Sequence, residues 1–160
     1  MYQYAVLAQG AVLIVRHSGK YEGAEADNAT LEVARSLGAE TMFGLSVVIH
    51  DLAEIESISL QDSDFARRAI FLTKLEKTLG LPMPLKEYAP RLELLIVEPN
   101  KKELREIFRE RQRRMSHPNL AIMTKTAAAN DVNAMLIDRG MTDADIAAIN
   151  WRSPLTKDSK

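Results

Sequence analysis

Chemistry on this chain could begin at Gln61–Ala69, "QDSDFARRA", where a serine stands between two carboxylates at the start of an apolar-periodic run. A helix N-terminus offers unpaired N–H groups and the positive end of the dipole, so it would receive a phosphate on Ser63 well. Phosphorylation would add about −1.5 to −2 charges there. Asp62 and Asp64 would repel that charge and compete for the same N–H groups. The plainer reading is a cap: Asp62 or Ser63 closes the helix start and contributes about 1 kcal/mol. The cap is favoured over the switch. Ser57 and Ser59 are the neighbouring candidate phosphoacceptors.

Other chemistry-bearing residues are scattered. His50 and Asp51 end an apolar run, but adjacent residues of a strand point to opposite faces, so the two do not readily share one ligand. His17, His50 and His117 lack metal-ligand spacing, and no metal or cofactor is expected. No G-x-G-x-x-G, G-x-x-x-x-G-K-[ST] or G-x-S-x-G is present, and the serines have no triad context. The one dense basic feature is "KKELREIFRERQRRM". Lys101, Lys102, Arg105, Arg109, Arg113 and Arg114 form a candidate patch for phosphates. The favoured reading is a solvated helix face braced by i,i+4 pairs, each giving about 0.2–0.5 kcal/mol. Aromatic side chains that could stack on bases are missing from that face, so nucleic acid is not the expected partner.

Composition narrows the class. With 160 residues, 46% hydrophobic and 27% charged, the chain reads as an ordinary globular domain with a full core. A formal net charge of −1 gives no global pull toward nucleic acid or anionic lipid. The absence of cysteine removes disulfides and thiolate chemistry and fits a reducing cytoplasm. The opening run, interrupted by Gln9-Gly10, reads as neither a signal peptide nor a membrane span.

The elements that must position these residues follow from periodicity. Tyr2–Ala8 and Ala11–Arg16 are apolar and partly β-branched, and Gln9-Gly10 between them predicts a hairpin. Ser18-Gly19 is expected to end the second strand, with a polar loop over Lys20–Ala29. A helix is expected over Thr30–Phe43, weakened at Gly38 by about 1 kcal/mol against Ala. Leu45–Asp51 is a strand buried on both faces. Phe65–Leu79 is a helix, with Gly80 just past its end. Then come a strand over Arg91–Glu98, a helix over Lys101–Met115, a strand over Leu120–Thr124 and a helix over Thr126–Arg139. Thr142 starts a short helix running to about Trp151, and the tail is frayed. The fold class is α/β: a mixed, mostly parallel sheet of about five strands, with an N-terminal hairpin and four to five helices.

Order and local patterns resemble the STAS domain of bacterial anti-sigma-factor antagonists, in its divergent branch of small free-standing proteins. The residues concerned are "AQGAVLIVRHSGKYEG", "VVIHDL" and "NLAIMTKTAAANDVNAML". The resemblance covers Tyr2 to Ile137. It implies a phosphorylatable Ser or Thr between the third strand and the next helix, where Ser63 stands. Here the spacing from Asp51 is longer, and Asp64 replaces the small residue that usually follows.

Residues 1–139 are thus expected to form the STAS-like domain and 140–160 a C-terminal helix and tail, which docks back or serves as a dimerising or partner-binding helix. The function expected is a non-enzymatic, cytoplasmic regulatory domain that binds a protein partner. The surface proposed for that partner comprises His17, Tyr21, Asp62, Asp64, Arg67 and Arg68. The alternative is a nucleotide or lipid sensor with a pocket lined by Phe65, Phe71, Met83 and Tyr88.

Overall fold

The computed structural model describes residues 1–59, 62–81, 91–96, 102, 106, 122–127 and 129–154; of residues 62, 64–66, 68, 69, 72, 91–96, 122–127 and 129 it describes the backbone alone. Five strands form one sheet in sequence order: β1 (Tyr2–Leu7), β2 (Val12–Glu22), β3 (Val47–Ser59), β4 (Arg91–Ile96) and β5 (Ile122–Ala127). β1 and β2 pair antiparallel, from Tyr2 opposite His17 to Leu7 opposite Val12. All later neighbours pair parallel. A 3-10 turn over Ala8–Gly10 joins β1 to β2, and it forces positive φ at Ala8, Gln9 and Gly10.

The helices whose bounds are described are α1 (Gly23–Gly44), α2 (Asp62–Leu79), α3 (Ala129–Asp138) and α4 (Asp143–Ala147). Parallel strands need crossovers, and crossovers of one hand that advance the same way along the sheet lie on the same face. α1 and α2 accordingly pack together on one face. Their Val33, Ala34, Met42 and Leu79 meet Tyr4, Leu13, Val15 and Val48. α3 takes the other face, where Val132 and Leu136 meet Ala5, Leu7, Val12, Ile14, Val47 and Ile49. Alternation therefore splits "VLIV" of β2 between two cores. Ile49, Leu52 and Ile55 are among the largest fully buried side chains, each stabilising by roughly 1.5–3 kcal/mol.

α2 and α3 end in the same hydrogen-bonded turn. Gly80 N–H donates to the Lys77 carbonyl (3.1 Å) and Leu81 N–H to the Glu76 carbonyl (3.2 Å). Gly140 and Met141 repeat this with Ile137 (2.9 Å) and Leu136 (3.1 Å). Each pair satisfies carbonyls that a helix end leaves orphaned.

Several expected boundaries move. β2 does not end at Ser18-Gly19 but continues to Glu22. Gly19, at φ +76°, marks a bulge with shifted register, and Tyr21 beyond it buries against Ala26, Leu52 and Ile55. The loop expected over Lys20–Ala29 is thus strand and then helix, since α1 begins at Gly23. Thr30, expected at its start, lies inside it and its hydroxyl donates to the Ala26 carbonyl (2.8 Å). At Gly38 the helix breaks, with φ 76° and ψ 167°. β3 runs past Asp51 to Ser59, because Leu52 and Ile55 continue the buried pattern. β5 lies later than expected, α3 starts at Ala129, and α4 stops at Ala147. Of the helix expected over 101–115, Lys102 and Glu106 are helical and exposed; Lys101, Arg105, Arg109, Arg113 and Arg114 lie outside the described residues.

Candidate functional site

The parallel strands deliver their carboxyl ends to one edge, which is where open α/β sheets generally place ligands and partners. Beyond the level of β4, β2 and β3 continue side by side as a two-stranded ribbon, with Lys20 opposite Ser57, Tyr21 opposite Ile58 and Glu22 opposite Ser59. α1 leaves directly from β2 and α2 follows β3, so two helix N-termini open beside this edge. Lys20 Nζ pairs with Glu22 Oε1 at 2.6 Å, and Glu25 stands in the first turn of α1.

Ser57 and Ser59 therefore lie on a strand rather than in a loop before a helix. Ser57 is exposed and Ser59 half-buried. Ser63 is exposed and sits inside the first turn of α2, one residue past Asp62. The side chains of Asp62, Asp64 and Arg68 lie outside the described residues, and that of Arg67 is half-buried.

His17 and Tyr21, expected on an exposed surface, are instead buried, at 7% and 6% exposure. The reason is the longer β2, which turns both side chains into the interior. Tyr2, His17, Tyr21 and His50 form an aromatic group on the α1–α2 face. The His17 ring lies 4.7 Å from Tyr2, edge-on, 5.1 Å from Tyr21 and 5.9 Å from His50. The crevice beside it, lined by Met1, Tyr2, His17, Tyr21 and Ala26 among others, has room for about one water molecule. Phe71, expected to line a ligand pocket, is buried at 3% exposure; Met83 and Tyr88 lie outside the described residues.

Asp51 turns to the opposite face from His50. Its Oδ2 accepts from Arg16 Nε at 3.1 Å and its Oδ1 from the Ala53 N–H at 3.2 Å. The Arg16 guanidinium lies under the Trp151 ring, 4.1 Å from its centroid. This ion pair and its indole cover were missed in the sequence because the partners are far apart along the chain. Same-face parity of Arg16 with Ile14, and of Asp51 with Ile49, was the available signal.

The outer face of α2 carries Ser63, Arg67, Ile70, Lys74 and Lys77, spaced four, three, four and three residues apart, hence on one helical stripe. Phe71 and Leu79 anchor the other side of the helix in the core. Ile70 stands 59% exposed between the cationic positions. Among the described residues no cluster of side chains suited to a metal ion occurs, and no helix is long and apolar enough to cross a membrane.

No protein-family model and no curated protein matches the chain. Among solved structures it is similar to the one described as "Structure of the Anti-Sigma Factor Antagonist SpoIIAA in its Unphosphorylated Form". That likeness spans 88% of this chain and 100% of the other, at 12% identity and a TM-score of 0.44. The α/β class and the mixed sheet rest on the strand order and register of the chain itself.

Proposed function

We propose that the protein is a non-enzymatic regulatory domain of the bacterial cytoplasm that binds a protein partner through the outer stripe of α2. The supporting observation is Ile70, a large apolar side chain held in solvent on a helix whose opposite side is anchored by Leu79. A single exposed aliphatic is ordinary. Here it sits between Arg67 and Lys74 with Lys77 one turn on, which gives an apolar anchor in a cationic frame. The complementary partner is an acidic surface with an apolar pocket. Ser63 heads the same stripe, so a phosphate there would add negative charge toward an acidic partner and weaken the complex.

The test is capture of a partner by the full chain and by Arg67→Glu/Ile70→Asp. Loss of a specific partner at unchanged melting temperature supports the reading, and equal capture by both sinks it. Ser63→Asp is expected to weaken capture. The ligand-sensor reading has no observation in its favour among the described residues, where Phe71 is buried.

A further inference from the structure

β1 ends the sheet, so one row of its backbone groups faces away from β2. The chain closes that edge with its own C-terminal segment. Tyr4 N–H donates to the Arg152 carbonyl at 2.8 Å, and Arg152 N–H donates to the Tyr4 carbonyl at 2.8 Å, as an antiparallel bridge. One residue earlier, Trp151 covers Arg16, which Asp51 holds from below. Ile146 and Ile149 rest on the core beneath. Pro154 has no N–H, so the ladder cannot add a donor there.

This strap is lightly held. α4 contains no buried residue, and Ile146, Ile149 and Trp151 are only half-buried. Segments with few buried contacts open locally at a cost well below that of global unfolding.

We propose that the outer edge of β1 is an acceptor for an extended protein segment, and that residues 148–154 occupy it as an internal stand-in. The partner segment carries an aromatic residue just before the residue that bridges Tyr4. Its ring replaces Trp151 over Arg16, and its backbone replaces the two bonds of Arg152. Recognition is strand addition, with main-chain bonds for affinity and one side-chain seat for specificity. Being tethered, the strap competes at an effective concentration on the order of millimolar, so an outside segment binds only as far as the strap opens. The site shares no residue with the α2 stripe, so failure at one leaves the other standing.

The experiment uses the full chain and a fluorescein-labelled peptide of sequence AINWRSP, residues 148–154, followed by anisotropy. The Trp151→Ala/Arg152→Pro chain, with its strap loosened, is expected to bind the peptide at least about tenfold more tightly than the unaltered chain. Replacing the tryptophan of the peptide by alanine is expected to abolish binding. A folded variant that binds no better than the unaltered chain overturns the proposal. Should the variant not fold, hydrogen exchange on the unaltered chain decides. Tyr4 and Arg152 amides opening together, far faster than Ile49, support a detachable strap; Tyr4 as protected as Ile49 overturns it. A native-mass dimer that the peptide disperses would identify the occupant as a second copy and overturn the assignment to a different protein.

Discussion

Replacing Asp51 by alanine removes one carboxylate that serves two donors. Arg16 Nε would lose its anionic contact at 3.1 Å, and the Ala53 N–H would lose an acceptor at 3.2 Å. Hydrogen bonds to a charged group are worth about 1.5–3 kcal/mol each in buried sites. The Asp51 side chain is 13% exposed but that of Arg16 is 32% exposed, so water screens part of the charge term. The net loss is about 2 kcal/mol, or about 4–8 °C in Tm for a domain of this size. Thermal unfolding by circular dichroism measures it. Combining Asp51→Ala with Arg16→Met isolates the pair, and a coupling of about 1 kcal/mol is expected. Trp151 is the single tryptophan and lies on Arg16, so its emission should shift to the red in either variant. Asp51→Ala within about 0.5 kcal/mol of the unaltered chain, with strict additivity in the cycle, would refute the reasoning.

Two further outcomes follow from local geometry. Gly38→Ala would ordinarily stabilise a helix, yet here φ 76° and ψ 167° lie where only glycine is comfortable, and open space around the site offers no clash to blame. It should destabilise by about 1–3 kcal/mol in thermal melts, and a gain in stability would contradict the kink. The Asp145 carboxyl is held below its ordinary value of 3.8, first by the Thr142 N–H and then by the Thr142 hydroxyl. A depressed carboxylate stabilises the fold above its unfolded value and loses that contribution as pH falls through the lowered one. Exchange of the α4 amides should therefore be insensitive to protonation of Asp145 down to about pH 4 and accelerate below it, an acid step that Asp145→Asn removes.

The hairpin and the parallel succession behind it were legible because β-branched apolar runs alternate with helical periodicity. The reach of β2 and β3 was not. Gly19 can end a strand or bulge it, and only the burial of Tyr21 beyond it distinguishes the two. In β3 the stretch from Glu54 to Ser59 is polar enough to read as loop, while Ile55, with Ile58 packed beside it, continues the core. Ser63 was legible as a helix-start residue. The exposure of Ile70 had a signal in the helical period, which sets it about 180° round the helix from the buried Leu79. The seat of Trp151 on Arg16 depends on a bridge between the two ends of the described chain, which no local pattern encodes.

The proposed function puts the partner contact of α2 at Ile70. A photo-activated cross-linking residue placed at position 70 in one sample and at position 137 in another tests it directly, since Ile70 and Ile137 are both exposed but lie on helices of opposite sheet faces. A discrete adduct from position 70, none from position 137, and loss of the first on Lys74→Glu/Lys77→Glu is the expected result. Adducts from position 137 alone, or the same adducts from both, would contradict it.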